Sequence, residues 1–151
     1  MADAPIPEVI SLRLPSRLEL LAVLDRVCVT VCERMDFDED TSSQVGMAVI
    51  EAGTNAVQHA HQRDPSKYFD MEFQLYPDRL EVIVKDSGKG FDMASVTPDV
   101  TTPEHLFDMR GRGIFIMRSC MDTVDFEFGE HGTTCHLVKH RPSPASRAAD
   151  A

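Results

Sequence analysis

The sequence predicts a single α/β domain, a mixed and mostly antiparallel sheet with helices packed on one face. Three observations predict it. Stretches of period-two alternation at 9–14, 67–76, 80–84, 123–128 and 133–139 read as strands. Tight turns at Pro77-Asp78-Arg79 and Glu130-His131-Gly132 join four of them as antiparallel hairpins. Stretches at helical spacing interrupt the strands, so the strands need a covering layer. A chain of 151 residues is long enough for one real core.

In chain order, residues 1–8 carry Pro5 and Pro7 and are expected to be a flexible lead-in. Ile10, Leu12 and Leu14 alternate with Val9, Ser11 and Arg13 as a half-buried strand that Pro15 stops. Ser16-Arg17-Leu18-Glu19 reads as a capping box: the Ser16 hydroxyl caps the Glu19 N–H and Glu19 reaches back. The helix that follows carries Leu20, Leu24, Val27 and Val31 on one stripe and should end near Glu33 or Met35. The acidic run from Asp36 to Thr41 suits the positive end of a helix dipole, and that second helix should continue to about His61. Gly46 and Gly53 are poor helix formers, costing roughly 1 kcal/mol each against alanine, so a close approach by a neighbouring element is expected there. The hairpin at 67–84 ends at Lys85-Asp86, where a glycine loop begins. Residues 91–110 hold Pro98, Pro103 and three threonines without periodicity and are expected to form a lid. A helix is expected to start at the glycines near 113 and run to Met121, with Met117 and Met121 as core filler. The last hairpin closes the domain near residue 140, and 141–151 is expected to be a disordered tail.

Composition narrows the function. A formal charge of −10 repels phosphate backbones, so direct nucleic-acid binding is not expected. A nucleotide is still permitted, because a divalent ion and backbone N–H groups can hold phosphates inside an acidic protein. No apolar run approaches the ~20 residues of a membrane span, and the start Met-Ala-Asp-Ala-Pro lacks a secretory pattern, so a cytoplasmic location is expected. Cys28, Cys32, Cys120 and Cys135 form no C-x-x-C pair and read as buried thiols in a reducing compartment. The six histidines show no metal-binding spacing.

Chemistry concentrates on 48–60. Glu51 and Asn55 are four apart and leave one helix face a turn apart, with His59 one turn further. An acid that can take a proton and an amide that can bind a metal make half of an active site. The other half should be glycine-rich, and Asp86-Ser87-Gly88-Lys89-Gly90 and Gly111-Arg112-Gly113 follow downstream. His59 reads as structural, because its neighbours already fill the acid and metal roles. Lys89 is either a solvated loop charge or a site residue.

Together these motifs resemble the GHKL ATP-binding fold of histidine kinases, gyrase-type topoisomerases and mismatch-repair ATPases. The asparagine box matches at Glu51, Asn55 and His59, the D-x-G-x-G box at Asp86, Gly88 and Gly90, and the G-x-G box at Gly111 and Gly113. A last box is Gly132-Thr133-Thr134. Each is weak alone; their order and context make them specific. The resemblance covers residues 9–139 and implies a two-layer α/β sandwich. The lone domain, the Glu-Ala-Gly-Thr-Asn-Ala box and Gly-Ile-Phe-Ile-Met after the lid are similar to the anti-sigma factor serine kinases of the RsbW and SpoIIAB type. In one respect the chain departs: Met109 stands where that subfamily often has arginine, with Arg110 and Arg112 beside it.

The resemblance implies ATP and Mg²⁺, with Asn55 giving an amide oxygen to the metal and Glu51 orienting or deprotonating an acceptor hydroxyl. Asp86 would accept the adenine amino proton, with Thr133 nearby. Gly88 and Gly90 would let the backbone approach the nucleotide, and Gly111, Arg112 and Gly113 would open a phosphate-binding helix. Either Arg110 or Arg112 would meet the γ-phosphate. The implied partners are an anti-anti-sigma STAS-domain protein as substrate and a sigma factor or other regulator as captive, with a homodimer as the assembly. Two other readings stand beside this one. The first is a nucleotide-gated binding module without kinase activity. The second is a detached histidine-kinase-like ATPase domain.

Overall fold

A computed structural model describes residues 3–62, 64–88 and 109–142, with the side chains of His59, Met109 and Arg110 left out. The order is β1 (Glu8–Pro15), α1 (Leu21–Arg34), α2 (Glu39–Thr54), a π-helical segment (Asn55–Ala60), β2 (Tyr68–Leu75), β3 (Arg79–Asp86), α3 (Met109–Cys120), β4 (Thr123–Gly129) and β5 (Gly132–His140). The strands form one five-stranded sheet in the order β1-β2-β3-β5-β4. Every pairing in it is antiparallel.

Register shows why one face is covered. Leu12, Met71, Val84, Cys135 and Phe126 stand opposite one another in a row across all the strands, and Ile10, Phe73, Val82, Leu137 and Val124 form the next row. Both rows join the core cluster with Leu24, Val31, Val45, Val49, Ile114 and Met117 of the helices. The alternate rows are mostly polar: Arg13, Asp70, Lys85, Thr134 and Glu127 line up on the other face. This is the period-two pattern expressed as two layers. Fully burying a phenylalanine or methionine such as Phe69, Phe73 or Met71 is worth about 1.5–3 kcal/mol each.

The helix starts differ from expectation. Ser16 makes no capping box; a 3-10 turn at Leu18–Leu20 starts from Arg17 with no side-chain cap, and Ser16 is buried with its hydroxyl turned to His61. The acidic run divides in two. Asp36 takes a left-handed φ of 58° that ends α1, and the Phe37 N–H bonds the Cys32 carbonyl at 3.1 Å. Asp38 then caps α2 by accepting the Thr41 N–H at 2.7 Å. Gly53 has its close neighbour, since a Cβ there would lie 2.9 Å from Leu21 Cδ2 of α1. Gly46 does not: a Cβ would meet nothing within 4 Å. The second helix reaches His61 only by widening into the π segment, where the His61 N–H bonds the Ala56 carbonyl at 3.0 Å. The third helix starts at Met109, ahead of both glycines, so Gly111 lies in its first turn and Gly113 in its second. The expected lid over 91–110 otherwise falls outside the described residues, as do the tail from 143 onward and Gly90.

Candidate active site

The site lies along the end of α2 and the π segment. Glu51 is on the last full turn of α2 and Asn55 begins the π segment. Opposite them runs α3, whose Gly113 faces both: a Cβ at Gly113 would stand 2.9 Å from Glu51 Oε2 and 3.5 Å from Asn55 Oδ1. The missing side chain is therefore what lets the acid and the amide lie against the α3 backbone. Burial pushes the Glu51 carboxyl above its ordinary pKa, and the nearby positive charge of Arg112 moderates the rise. Of the two candidate arginines, Arg112 thus carries its charge at Glu51, while the Arg110 side chain lies outside the described residues.

Asn55 Nδ2 is buried without a hydrogen-bond partner among the described residues. A buried polar atom in that state is costly, of the order of 1–3 kcal/mol, and such atoms mark places where a ligand completes the structure. The amide oxygen is a hard donor of the kind Mg²⁺ takes. Among the described residues no group of three or more His, Cys, Asp or Glu side chains could hold a metal. The orphaned atom is the amide nitrogen, a donor, so it points to an acceptor group such as a phosphate oxygen, while the amide oxygen is the atom of Asn55 that fits a hard cation.

The second half of the site is at the end of β3. Asp86 Oδ1 accepts the Gly88 N–H at 2.8 Å, a tight turn that ends the strand. Gly88 presses on the last residue of the π segment, where a Cβ would lie 2.5 Å from Ala60 Cβ. Thr133 of β5 stands opposite Asp86 in the sheet. Its hydroxyl is the second buried polar atom here without a partner among the described residues. Gly132 has φ of +152°, and a Cβ there would come within 1.7 Å of the Asp86 carbonyl oxygen. Only glycine permits that approach. On the far side of Thr133, Phe128 of β4 continues the row, a half-exposed aromatic that stacks on Phe126 at 6.3 Å.

Structure thus brings Glu51, Asn55, Arg112 and Gly113 together at one end, and Asp86, Gly88 and Thr133 at the other. The π segment joins the two: Asn55 is its first residue and Ala60, under Gly88, its last. Sequence reasoning missed His61. It is buried, its Nδ1 bonds the Ser16 hydroxyl, and its Nε2 lies 3.0 Å from both the Ser87 N and Ser87 Oγ. Only long-range pairing reveals it; no local motif contains Ser16, His61 and Ser87. No helix among the described residues is long and apolar enough to cross a membrane.

The profile of the histidine kinase-like ATPase domain matches residues 14–139. A serine-protein kinase, RsbW, of Bacillus subtilis strain 168 is 33% identical over 136 residues, which is 87% of this chain and 84% of that protein. RsbW of Bacillus velezensis is 32% identical over the same shares of both chains. The solved RsbU and RsbW domains of a Mycobacterium tuberculosis protein superpose with a TM-score of 0.63 at 15% identity, covering 90% of this chain and 33% of that one, a likeness of fold. The chain belongs to the histidine kinase-like ATPase domain family and is a homologue of the RsbW serine-protein kinases.

Proposed function

We propose that this family member is an ATP-dependent serine/threonine protein kinase that phosphorylates an anti-anti-sigma STAS-domain protein and sequesters a sigma factor or another regulator. In this reading it works as a cytoplasmic homodimer. One observation carries the reading. Glu51, partly withdrawn from water against Gly113, also lines an open groove of about 730 Å³ between α1 and α2. The groove has apolar sides from Val29, Met47 and Ile50, and Gly46 leaves its wall low. A carboxylate at the meeting point of a phosphate site and an open apolar groove can receive a hydroxyl presented by a protein.

In the reaction Glu51 would accept the proton of that hydroxyl while its oxygen bonds the γ-phosphorus and the bond to the ADP oxygen breaks. A positioned base of this kind contributes about 10²–10⁴-fold. A carboxyl raised by burial is better matched to that task near neutral pH than an exposed one. Asn55 would hold Mg²⁺, which supplies charge neutralisation at the phosphates. Arg112 would add a second positive charge at the same end. Asp86 and Thr133 would fix the adenine through its polar edge, and Gly88 and Gly132 give the backbone room to close around it.

The test is the intact mass of an anti-anti-sigma protein from the same genome after incubation with this protein and Mg-ATP, with Glu51→Ala in parallel. One acid-stable phosphate, absent with the variant, is the expected result. Binding of both ATP and partner without any transfer would replace the kinase by a nucleotide-gated binding module. Acid-labile phosphate would point to histidine chemistry. Light scattering of the purified protein checks the dimer.

A further inference from the structure

Four polar side chains are buried among the described residues: Ser16, Thr41, His61 and Thr133. Two of them bond each other, and one of that pair reaches the nucleotide site. We propose that His61 is a positioning residue for the base end of that site: by accepting the Ser87 N–H it holds the Asp86-Ser87-Gly88 turn in its ATP-binding shape. The inference rests on the reading of Asp86 as the adenine anchor.

Hydrogen-bond logic settles which proton the ring carries. The backbone N–H of Ser87 is a donor only, 3.0 Å from Nε2, so Nε2 must be the acceptor. The neutral ring then carries its proton on Nδ1 and donates it to the Ser16 hydroxyl. Ser16 is itself pinned, its N–H donating to the Lys67 carbonyl at 2.8 Å. The ring therefore ties the loop after β3 to the junction between β1 and α1. The π segment sets its position, since the His61 N–H closes the last wide turn on Ala56. Gly88, on the other side of Ser87, rests on Ala60 of that segment. Three successive loop residues are thus held from one side, Asp86 and Gly88 by each other and Ser87 by His61.

A proton added to Nε2 would set N–H against the Ser87 N–H and cost that main-chain bond, leaving the ring to donate only to the Ser87 hydroxyl 3.0 Å away, which does not hold the backbone. Asp86 at the end of β3, and Asp64 and Lys67 in the turn before β2, are the charged groups around the ring. The two carboxylates favour the proton and the lysine opposes it, but burial outweighs them and keeps the ring's pKa below the ordinary value. The unfolded chain therefore takes up the proton more readily. Protein stability should fall as pH drops below about 6.5 and on through the lowered pKa, and ATP affinity should fall as pH passes through the lowered pKa itself.

The experiment is calorimetric ATP titration of wild type, His61→Asn, His61→Gln, His140→Gln and Asp86→Ala from pH 5.5 to 8. An asparagine amide reaches toward Ser16 but not Ser87; a glutamine amide can accept the Ser87 N–H and does not titrate. At pH 7.5 His61→Asn should weaken ATP about tenfold, while His61→Gln stays within about threefold of wild type. The affinity ratio of wild type to His61→Gln cancels the ionisation of the nucleotide's own phosphates. That ratio should fall as pH passes through the lowered His61 pKa, and the ratio of wild type to His140→Gln, altered at the far end of β5 from Asp86, should not. A His61→Gln that weakens ATP about tenfold or more at pH 7.5 overturns the inference, even if His61→Asn fails to fold. So does a folded His61→Asn that binds ATP as wild type does. In both failures Asp86→Ala still abolishes binding; ATP binding that survives Asp86→Ala overturns the adenine-site reading instead, and the inference with it.

Discussion

At the proposed reactive end, Glu51 and Asn55 stand a turn apart on one continuous helix, and α3 meets them through Gly113. At the proposed base end, Asp86, Gly88, Gly132 and Thr133 arrive from two strands and a loop, held by main-chain approach and by a histidine 25 residues before Asp86 in the chain. The first end is held by side chains on a rigid rod. The second is held by backbone. A substitution at the first should therefore disturb chemistry while leaving the fold, and one at the second should disturb the fold or nucleotide affinity first.

The largest separation is expected from Glu51→Gln. Phosphoryl transfer should fall about 10²–10⁴-fold with ATP affinity within a few-fold of wild type, as single-turnover kinetics and calorimetry would show. Wild-type transfer should also lose rate as pH falls through a pKa raised above the ordinary glutamate value, because burial raises the Glu51 carboxyl and only its ionised form accepts a proton. An equal loss of binding would show that the two ends are not separable. The glycines give the same contrast in stability. Gly113→Ala meets the free end of the Glu51 side chain, which can swing away, so it should slow transfer and leave the melting point nearly unchanged. Gly132→Ala meets the Asp86 carbonyl at a positive φ and neither can yield. It should cost roughly 3 kcal/mol or more in denaturant unfolding.

This difference also separates what was legible in the sequence from what was not. Glu51 and Asn55 could be read because helical spacing places them on one face whatever else the chain does. Strand alternation placed every strand among the described residues to within a few residues, since each inward position is buried by its neighbours in register. The capping box at Ser16 failed because a local motif competes with any distant partner, and here buried His61 takes the hydroxyl. Gly46 and Gly53 look alike in sequence, yet only Gly53 faces α1 closely; Gly46 opens onto the groove. The widening at Asn55–Ala60 left no mark in the periodicity, because Ala56 and Val57 are buried in either helix type. Helix α3 began early because glycines suggest a start, whereas Gly113 is required inside the helix, against Glu51.

At the base end the carboxylate should matter more than the hydroxyl. Asp86→Asn keeps an oxygen able to accept the Gly88 N–H and hold the turn, but removes the charge. Hydrogen bonds to charged groups are worth about 1.5–3 kcal/mol, so ATP should weaken roughly ten- to a hundredfold. The transfer rate from the bound state should change little. A rate loss larger than the affinity loss would place Asp86 in the chemistry and erase the distinction between the two ends.

The smallest expected effect is also the most selective. Thr133 Oγ1 is buried with no partner among the described residues, so in the nucleotide-free protein it bears a desolvation cost with nothing to offset it. Thr133→Val keeps the shape and removes the orphan. If the hydroxyl exists to meet a nucleotide, the variant should unfold at equal or slightly higher denaturant, a gain of up to about 1 kcal/mol. Its ATP affinity should drop a few-fold, the loss of one neutral hydrogen bond of about 0.5–1.5 kcal/mol. Stability and binding then move in opposite directions, which a packing residue cannot do. Destabilisation together with weaker binding would instead make Thr133 part of the sheet's own polar accounting, and the base would have to be read by Asp86 alone.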